Sequence, residues 1–274
     1  MSFFTRLVSF SALASFSLAF APAVVQAGSI GIHFPSNRDN ARLAPGEEAG
    51  APGYRQTNWN SADGVWESPD NLGNNQGATA NVSLPSVGSV VDNTGFPELT
   101  TTVEWASNGT WNTNNGAGTP DSKLMNGYID AFSNAASNLP DGTSTVTIDG
   151  IPYLQYDVVV YVGTDGNNRL ANLTDGSTSY YYTTGSALGG FGPGDYAQAT
   201  STDINNRTIN ANYAVFPGHT ESSITVSIFD WTGGNNNGIH AVQIVDTIPE
   251  PTSLVLLSLG AFGLLAGSRR RRTR

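Results

Sequence analysis

Residues 156–162 read Y-D-V-V-V-Y-V and form the most apolar of the predicted strands in the body of the chain. Apolar residues occupy both the odd and the even positions, so both faces of this extended segment are apolar. A strand of this kind is covered on both of its faces. The segment therefore predicts a central strand around which the other strands of a layered β fold are arranged.

Shorter segments on either side have the alternation that is typical of half-buried strands. Residues 29–34 alternate, residues 222–231 turn three isoleucine and valine side chains to one face, and residues 239–245 form the last strand. Further strands are predicted at residues 56–60, 65–66, 78–84, 99–105, 144–148 and 180–182. Many short strands with turn signals, one helix and no repeat predict a mainly β protein, a β-sandwich of the jelly-roll kind.

A hairpin is predicted after residues 99–105. Asn108-Gly109 is the dipeptide that most favours a type I′ turn, and Thr110-Trp111 would begin the returning strand. This prediction places the strand at 99–105 and the strand at 110–111 side by side in one sheet.

One segment breaks the β pattern. Apolar residues recur at helical spacing between residues 124 and 139, and Thr119 and Pro120 suit the N-cap and the first helical position. Pro140 would stop the helix. The pattern predicts one helix over residues 120–139.

Charge and cysteine content exclude several classes of function. The body, residues 28–247, contains six Lys or Arg residues against 21 Asp or Glu residues, a formal net charge of −15. Such a surface repels nucleic acid and anionic lipid. The chain has no cysteine, so disulfides, cysteine-ligated metals and thiol nucleophiles are excluded.

The N-terminus has the features of a secretory signal peptide. Arg6 is the single early charge, residues 7–20 are apolar with serines, and Val25-Gln26-Ala27 places permissive residues before a cleavage site. We expect residues 1–27 to be removed between Ala27 and Gly28. The mature protein would then be exported.

The C-terminal segment, residues 248–274, has three parts in a fixed order. Pro249, Glu250 and Pro251 favour extended backbone, and the uncharged residues 252–268 follow. As a helix those 17 residues are about 25 Å long, the short end of what spans a bilayer. The segment ends in a basic cluster, which the positive-inside rule keeps in the cytoplasm. The cluster consists of Arg269, Arg270, Arg271, Arg272 and Arg274.

The proline–glutamate–proline motif, the apolar span and the arginine-rich end together resemble the PEP-CTERM sorting signal of Gram-negative bacteria. The resemblance implies an inner-membrane anchored intermediate, processing by exosortase, an integral membrane cysteine protease, and delivery to the cell surface or matrix. That family is associated with extracellular polysaccharide, which implies a non-catalytic structural or adhesive role. The body resembles the uncharacterised domains that precede such tails, and its architecture is loosely similar to galactose-binding-like modules.

Candidate functional residues in the body are few. Trp105 and Trp231 lie beside Glu104 and Asp230 on predicted strands, a pairing of ring and acid that suits a sugar site but is also ordinary in a sandwich core. Two carboxylates in reach of each other would instead suit a glycosidase.

The histidines and the Asx-rich loops are also candidates. His33 and His240 lie in the first and last strands and are either buried sheet residues or part of one functional site. A structural calcium ion would suit residues 70–74, 165–168 or 230–237, although Asp, Asn and Gly are also the residues that turns require. No other cofactor is expected.

Three alternatives to a structural or adhesive role remain open, and each predicts a different surface. A carbohydrate-binding module would expose a row of Trp or Tyr. A secreted hydrolase would have converging carboxylates or a Ser–His pair in a concave site. An ice-binding protein would present a flat, regularly spaced threonine face, and the sequence contains no such repeat.

Overall fold

The computed structural model describes residues 28–35, 42–61, 82–83, 90–107, 109–113, 118–131, 142–185, 191–231 and 237–248. The predicted signal peptide, the strand predicted at residues 65–66 and the sorting segment from residue 249 onward lie outside these residues. Within the part of the chain described, no helix is long and apolar enough to cross a membrane.

The described residues are mainly β, with one short α-helix and one turn of 3₁₀-helix at Ile204–Asn206. The strands and the helix are, in chain order, β1 (Ser29–His33), β2 (Asn60–Ser61), β3 (Val82–Ser83), β4 (Thr102–Ala106), β5 (Gly109–Asn112), α1 (Pro120–Leu124), β6 (Gly127–Asp130), β7 (Thr143–Asp149), β8 (Tyr156–Gly163), β9 (Leu170–Thr174), β10 (Ser179–Thr184), β11 (Gln198–Ala199), β12 (Thr208–Ala211), β13 (Tyr213–His219), β14 (Ser223–Asp230) and β15 (Gly238–Asp246).

Two mixed sheets contain these strands. The eight-stranded sheet has the order β11-β13-β8-β15-β1-β2, with β6 paired to β15 and β5 paired to β6. The seven-stranded sheet has the order β12-β10-β9-β14-β7-β4-β3. β8 lies between two long antiparallel neighbours, which confirms that residues 156–162 form a central strand.

The main core lies between the two sheets. It is built from alternate residues of each strand, such as Val158 and Val160 of β8 and Val226 and Ile228 of β14, all of which are buried. Trp105 lies in the same layer and packs edge-on against Phe34, with ring centroids 5.4 Å apart. Other inward residues come from strands that the sequence did not predict, such as Leu173 of β9 and Phe216 of β13.

A second apolar layer covers the outer face of the eight-stranded sheet. Val159 and Tyr161 of β8 point into it, and the residues that cover them come from the segment 42–59, from α1 and from Phe191. Because β8 has a sheet on one side and this layer on the other, both sets of its side chains are buried. That arrangement explains why its sequence does not alternate.

The hairpin prediction is wrong. β4 pairs with β3 and β7 in the seven-stranded sheet, whereas β5 pairs with β6 in the eight-stranded sheet. The chain therefore passes from one sheet to the other between Ala106 and Gly109. The Asn-Gly dipeptide favours a tight turn locally, but β4 and β5 each pair with other strands, in two different sheets.

The helix prediction is correct at its start and wrong in its length. Thr119 is the N-cap and accepts a hydrogen bond from the Ser122 amide, and Pro120 is the first helical residue. The helix ends at Leu124, and Gly127–Asp130 is strand β6. Because β6 forms hydrogen bonds with both β5 and β15, sheet pairing outweighs the helical spacing of the apolar residues.

Candidate functional site

The outer face of the seven-stranded sheet carries an aromatic cluster, which consists of Tyr181, Phe229 and Trp231 around Asn172. Phe229 pairs with Asn172 across β14 and β9, and Asn172 pairs with Tyr181 across β9 and β10. These three residues therefore lie side by side on one face. Phe229 is exposed, and Tyr181 is half-buried.

Trp231 completes the cluster from just beyond the end of β14. Its side chain is 55% exposed. Its indole N–H donates a hydrogen bond to the Asn172 side-chain oxygen. The ring centroid lies 6.4 Å from that of Tyr181. The hydrogen bond fixes the orientation of an exposed ring, so the cluster is a positioned aromatic surface over the Asn172 amide, which is only 6% exposed.

Hydroxyl groups occupy the same face next to the aromatic cluster. Thr147 and Thr225 are cross-strand partners, and their hydroxyl oxygens lie 2.8 Å apart. On the same face, Thr145 of β7 lies opposite Ser227 of β14, and Glu104 of β4 lies opposite Thr147 of β7. Threonine is thus interspersed with serine and glutamate, and the face is not the regular threonine array expected of an ice-binding protein.

The structure separates the two tryptophans proposed as ligand-binding residues. Trp231 is exposed on the outer face, in agreement with that role. Trp105 is only 2% exposed and belongs to the core between the sheets, which removes it from the candidate site. Its position on β4 alternates with that of Glu104, so the acid faces solvent while the ring faces inward.

Asp230 also points away from the aromatic cluster. It pairs with Ala171, whose side chain belongs to the core, and it accepts a hydrogen bond from the Asn237 amide at 3.3 Å. Burial, and secondarily the Asp230 carboxylate, raises the pKa of the buried Tyr182 well above its ordinary value. Asp230 and Glu104 therefore lie on opposite sides of the sheet, and the structure does not bring this pair together as a glycosidase requires.

His33 and His240 are brought close together but are sealed from solvent. Both are fully buried, and the His240 Nδ1 lies 2.6 Å from the Gly127 carbonyl oxygen. Burial, and secondarily the neighbouring His240, lowers the pKa of His33 to about 3. Burial also lowers the pKa of His240 to about 4. The pair is a neutral, buried part of the fold rather than an accessible acid–base site.

These two histidines predict a loss of stability in acid. In the unfolded chain each imidazole takes up a proton near pH 6.5, whereas in the folded protein each stays neutral until pH 3–4. Unfolding therefore binds protons between those limits, and the free energy of unfolding should fall by about 1.4 kcal/mol per pH unit per histidine as the pH drops below 6.5. Urea titrations of residues 28–247 between pH 5 and 7 measure this slope.

The control is the double variant His33→Gln, His240→Gln, in which neither side chain can ionise. It should be less stable near neutral pH and should have a clearly smaller slope between pH 5 and 6.5. Equal slopes in the wild type and the variant would contradict the assignment of acid sensitivity to these histidines.

His219 has a different environment. Its Nε2 lies 3.1 Å from an Asp175 carboxylate oxygen, its Nδ1 lies 3.3 Å from Glu221, and its ring stacks on Tyr156 with centroids 5.7 Å apart. Burial, with a smaller effect of Glu221, raises the pKa of Tyr156 to about 12. Because Asp175 lies in the β9–β10 turn and His219 ends β13, this cluster ties the two sheets together at one end.

The loop at residues 165–168 is a turn held by its own ion pair. The Asp165 carboxylate lies 2.8 Å from an Arg169 nitrogen, so a side-chain cation already occupies the position beside it. In the described ranges, no group of three or more His, Asp or Glu residues is arranged to hold a metal ion. The loop at 70–74 and residues 232–236 lie outside these ranges.

Asp121 is a structural centre that the sequence did not reveal. Its carboxylate accepts hydrogen bonds from the Gly50 amide at 3.0 Å and from the Tyr196 hydroxyl at 2.9 Å, and it pairs with Arg55 at 3.2 Å. One buried acid on α1 thus fixes the covering segment and the loop at 191–197 over the eight-stranded sheet. A short helix gives no sequence signal for partners 60 or more residues away.

Tyr181 belongs to the run of three tyrosines at residues 180–182 that sequence suggested for stacking on sugars, whereas Phe229 and Asn172 were missed as site residues, although a signal for Phe229 existed. The alternation that turns Ile224, Val226 and Ile228 inward necessarily turns Phe229 outward. An aromatic residue at an outward strand position is the feature that indicates a surface cluster.

Comparison with known protein families gives a match in the C-terminal segment of the chain. A family model for the PEP-CTERM protein-sorting motif matches residues 247–272. No curated protein sequence matches the chain. The match covers Pro249, Glu250, Pro251 and the apolar segment that follows, which are the residues that carried the resemblance. The chain therefore carries the PEP-CTERM protein-sorting motif, a signal associated with export and with processing by exosortase.

Proposed function

We propose that this chain is an exported cell-surface or matrix protein that binds extracellular polysaccharide and catalyses no reaction. The sorting motif supports the first half of the proposal, because it is associated with export, membrane-associated processing and surface localisation. An exosortase-like membrane protease is the processing partner. The adhesive half rests on the β-sandwich.

The observation that carries the adhesive role is the aromatic cluster on the outer face of the seven-stranded sheet. Sugar rings present apolar C–H faces that stack on aromatic rings, and hydroxyl edges that exchange hydrogen bonds with amides and hydroxyls. Phe229, Tyr181 and Trp231 offer rings on one face, and the buried Asn172 amide holds the Trp231 ring in place. An exposed, hydrogen-bonded tryptophan on a rigid sheet is a feature of an interaction surface rather than of a core.

The chemistry of the cluster fits binding better than catalysis. Its four side chains supply stacking surface and hydrogen bonds but include no nucleophile and no acid–base pair. The acids on the same face of the sheet, Glu104 and Asp149, lie beside the end of β7, whereas Phe229 of the cluster pairs with Thr143 at the start of that strand. We therefore assign the domain retention of polysaccharide, not its cleavage.

Replacing Trp231 with alanine tests the adhesive role. Loss of one stacked ring should weaken binding by about 1–3 kcal/mol, or roughly 5- to 150-fold, while the unfolding transition changes little because the ring is exposed. Affinity electrophoresis of the wild type and the variant in gels that contain the exopolysaccharide of an exosortase-bearing host, with and without calcium, measures the effect.

Phe96→Ala is the matched control, because it removes another highly exposed ring far from the cluster. Retardation should be unchanged by Phe96→Ala and reduced by both Trp231→Ala and Tyr181→Ala. If Trp231→Ala is retarded as strongly as the wild type, the aromatic cluster is not the polysaccharide site.

A further inference from the structure

One end of the sandwich exposes large apolar side chains. Leu154 is 81% exposed, Leu99 is 68% exposed and Phe96 is 67% exposed, and Ile248 is exposed as well. They lie in the segments at 90–101, at 150–155 and at 246–248, and we call this surface the apolar end. Exposed large apolar side chains grouped on one surface mark an interaction site.

Strand register places these segments at the same end. In the seven-stranded sheet, Thr102 at the start of β4 pairs with Asp149 at the end of β7. In the eight-stranded sheet, Tyr156 at the start of β8 pairs with Asp246 at the end of β15. The segments that precede β4, connect β7 to β8 and follow β15 therefore leave the two sheets on the same side.

Hydrogen bonds join the three segments into one surface. The Thr101 hydroxyl donates to the Gly150 carbonyl at 3.0 Å, which connects the first segment to the second. The Thr247 amide donates to the Gln155 carbonyl at 3.0 Å, which connects the second to the third. The apolar side chains are thus carried by neighbouring segments rather than scattered over the domain.

The chain also leaves the domain at this end. Three residues separate Ile248 from the uncharged segment that begins at residue 252. Fully extended, three residues span about 10 Å. The Asp246 amide donates to the Gly28 carbonyl at 2.8 Å, so the residue that follows the predicted signal peptide lies at the same end. Once residues 252–268 are in a bilayer, the apolar end cannot be far from the lipid.

We propose that the apolar end rests on the lipid surface while the chain is anchored, with Phe96, Leu99 and Leu154 against the headgroup region. The proposal rests on the proposed function, with residues 252–268 inserted in the bilayer while the chain awaits processing. It goes beyond that function by giving the anchored domain one orientation. The aromatic cluster lies near the start of β9 and the end of β14, which is the other end of the sandwich. It then faces away from the membrane.

Charge makes this contact dependent on the anchor. The charged residues of the three segments are Asp92, Glu98 and Asp246, and all are acidic. Acidic groups gain nothing from anionic headgroups, so the apolar side chains alone hold the surface to lipid. Such a contact is maintained by the high effective concentration that the tether gives. Cleavage of the tail removes the tether and lets the domain leave the membrane.

Fluorescent labelling tests the orientation. The chain has no cysteine, so one introduced cysteine reports one position. Pro152→Cys and Thr100→Cys place a dye beside the apolar residues, and Asn167→Cys places it in the β8–β9 loop at the other end. β8 separates the two ends by about 25 Å. Each full-length chain is reconstituted into phosphatidylcholine vesicles that carry a nitroxide on the headgroup.

Quenching at positions 152 and 100 should exceed quenching at position 167 several-fold in chains that sediment with the vesicles. Equal quenching at all three positions in sedimenting chains overturns the orientation and leaves the anchor intact. A chain that does not sediment shows that residues 252–268 do not insert, and the docking proposal fails with them. If the difference in quenching appears only after exosortase is added, the contact is with protein and the lipid proposal is wrong.

Discussion

The Val160→Asp variant of residues 28–247 is expected to lose its cooperative unfolding transition. Val160 is fully buried at the centre of β8, between β13 and β15, and it faces the core between the sheets. A carboxylate at this position has neither water nor a cation beside it, and burial of an unpaired charge costs several kcal/mol. The loss should exceed about 4 kcal/mol, a large part of the stability of a domain of this size.

Two controls separate the charge from the altered volume and from the substitution itself. Val160→Ala removes buried methyl groups without a charge and should cost about 1–3 kcal/mol. Thr225→Asp places the same carboxylate on the exposed face of β14 and should change the stability little. Urea denaturation followed by fluorescence measures all three variants. A Val160→Asp protein that unfolds like the wild type would show that β8 is not the central strand.

The strands that sequence predicted well are those whose pattern reports burial directly. Residues 156–162 are apolar on both faces because β8 lies between two apolar layers. Residues 222–231 alternate because β14 has one face in the core and one in solvent. In both strands the sequence pattern follows directly from which side chains are buried and which are exposed.

The predictions that failed depended on distant partners. Asn108-Gly109 favours a tight turn locally, yet β4 and β5 belong to different sheets. The residues after Leu124 have helical spacing, yet β6 is held by two neighbouring strands. A local sequence pattern does not report how much these strand pairings stabilise the fold. Prediction from the sequence therefore gave the locally favoured structure, a turn in one case and a helix in the other.

The candidate site shows the same division. Trp105 is buried because it occupies an inward position of β4, and Trp231 is exposed because it lies just beyond β14, two residues after the outward Phe229. Assigning the inward and outward positions of each strand from the sequence is enough to distinguish the two tryptophans. The position of Asn172 between two rings follows instead from the strand order β10-β9-β14. Strand order is a property of the whole sheet and cannot be predicted from the sequence of a single strand.

The second large effect is expected in the sorting segment. Because proline favours extended backbone and cannot continue a helix, we expect Pro249 and Pro251 to leave the motif in a form that a protease can engage. We expect the Glu250 charge to favour the water side of the interface, and the arginines at the other end to keep their side of the span in the cytoplasm. A simple anchor needs the span and the arginines but not the glutamate. Glu250→Ala should therefore insert normally and remain uncleaved.

Deletion of residues 269–272 is the matched control, because it removes four of the five arginines that we expect to orient the span and leaves the motif unchanged. It should disturb insertion or orientation, which protease protection of spheroplasts detects, whereas Glu250→Ala should not. The two variants thus separate the recognition of the motif from the anchoring of the chain.

The most direct measurement is an immunoblot of membrane and released fractions from an exosortase-bearing host that expresses the wild type or Glu250→Ala. The account predicts a shortened, released wild-type protein and a full-length variant that accumulates in the membrane fraction. Release of Glu250→Ala at the wild-type level, with the same shortened size, would contradict the account and leave the segment as an anchor alone.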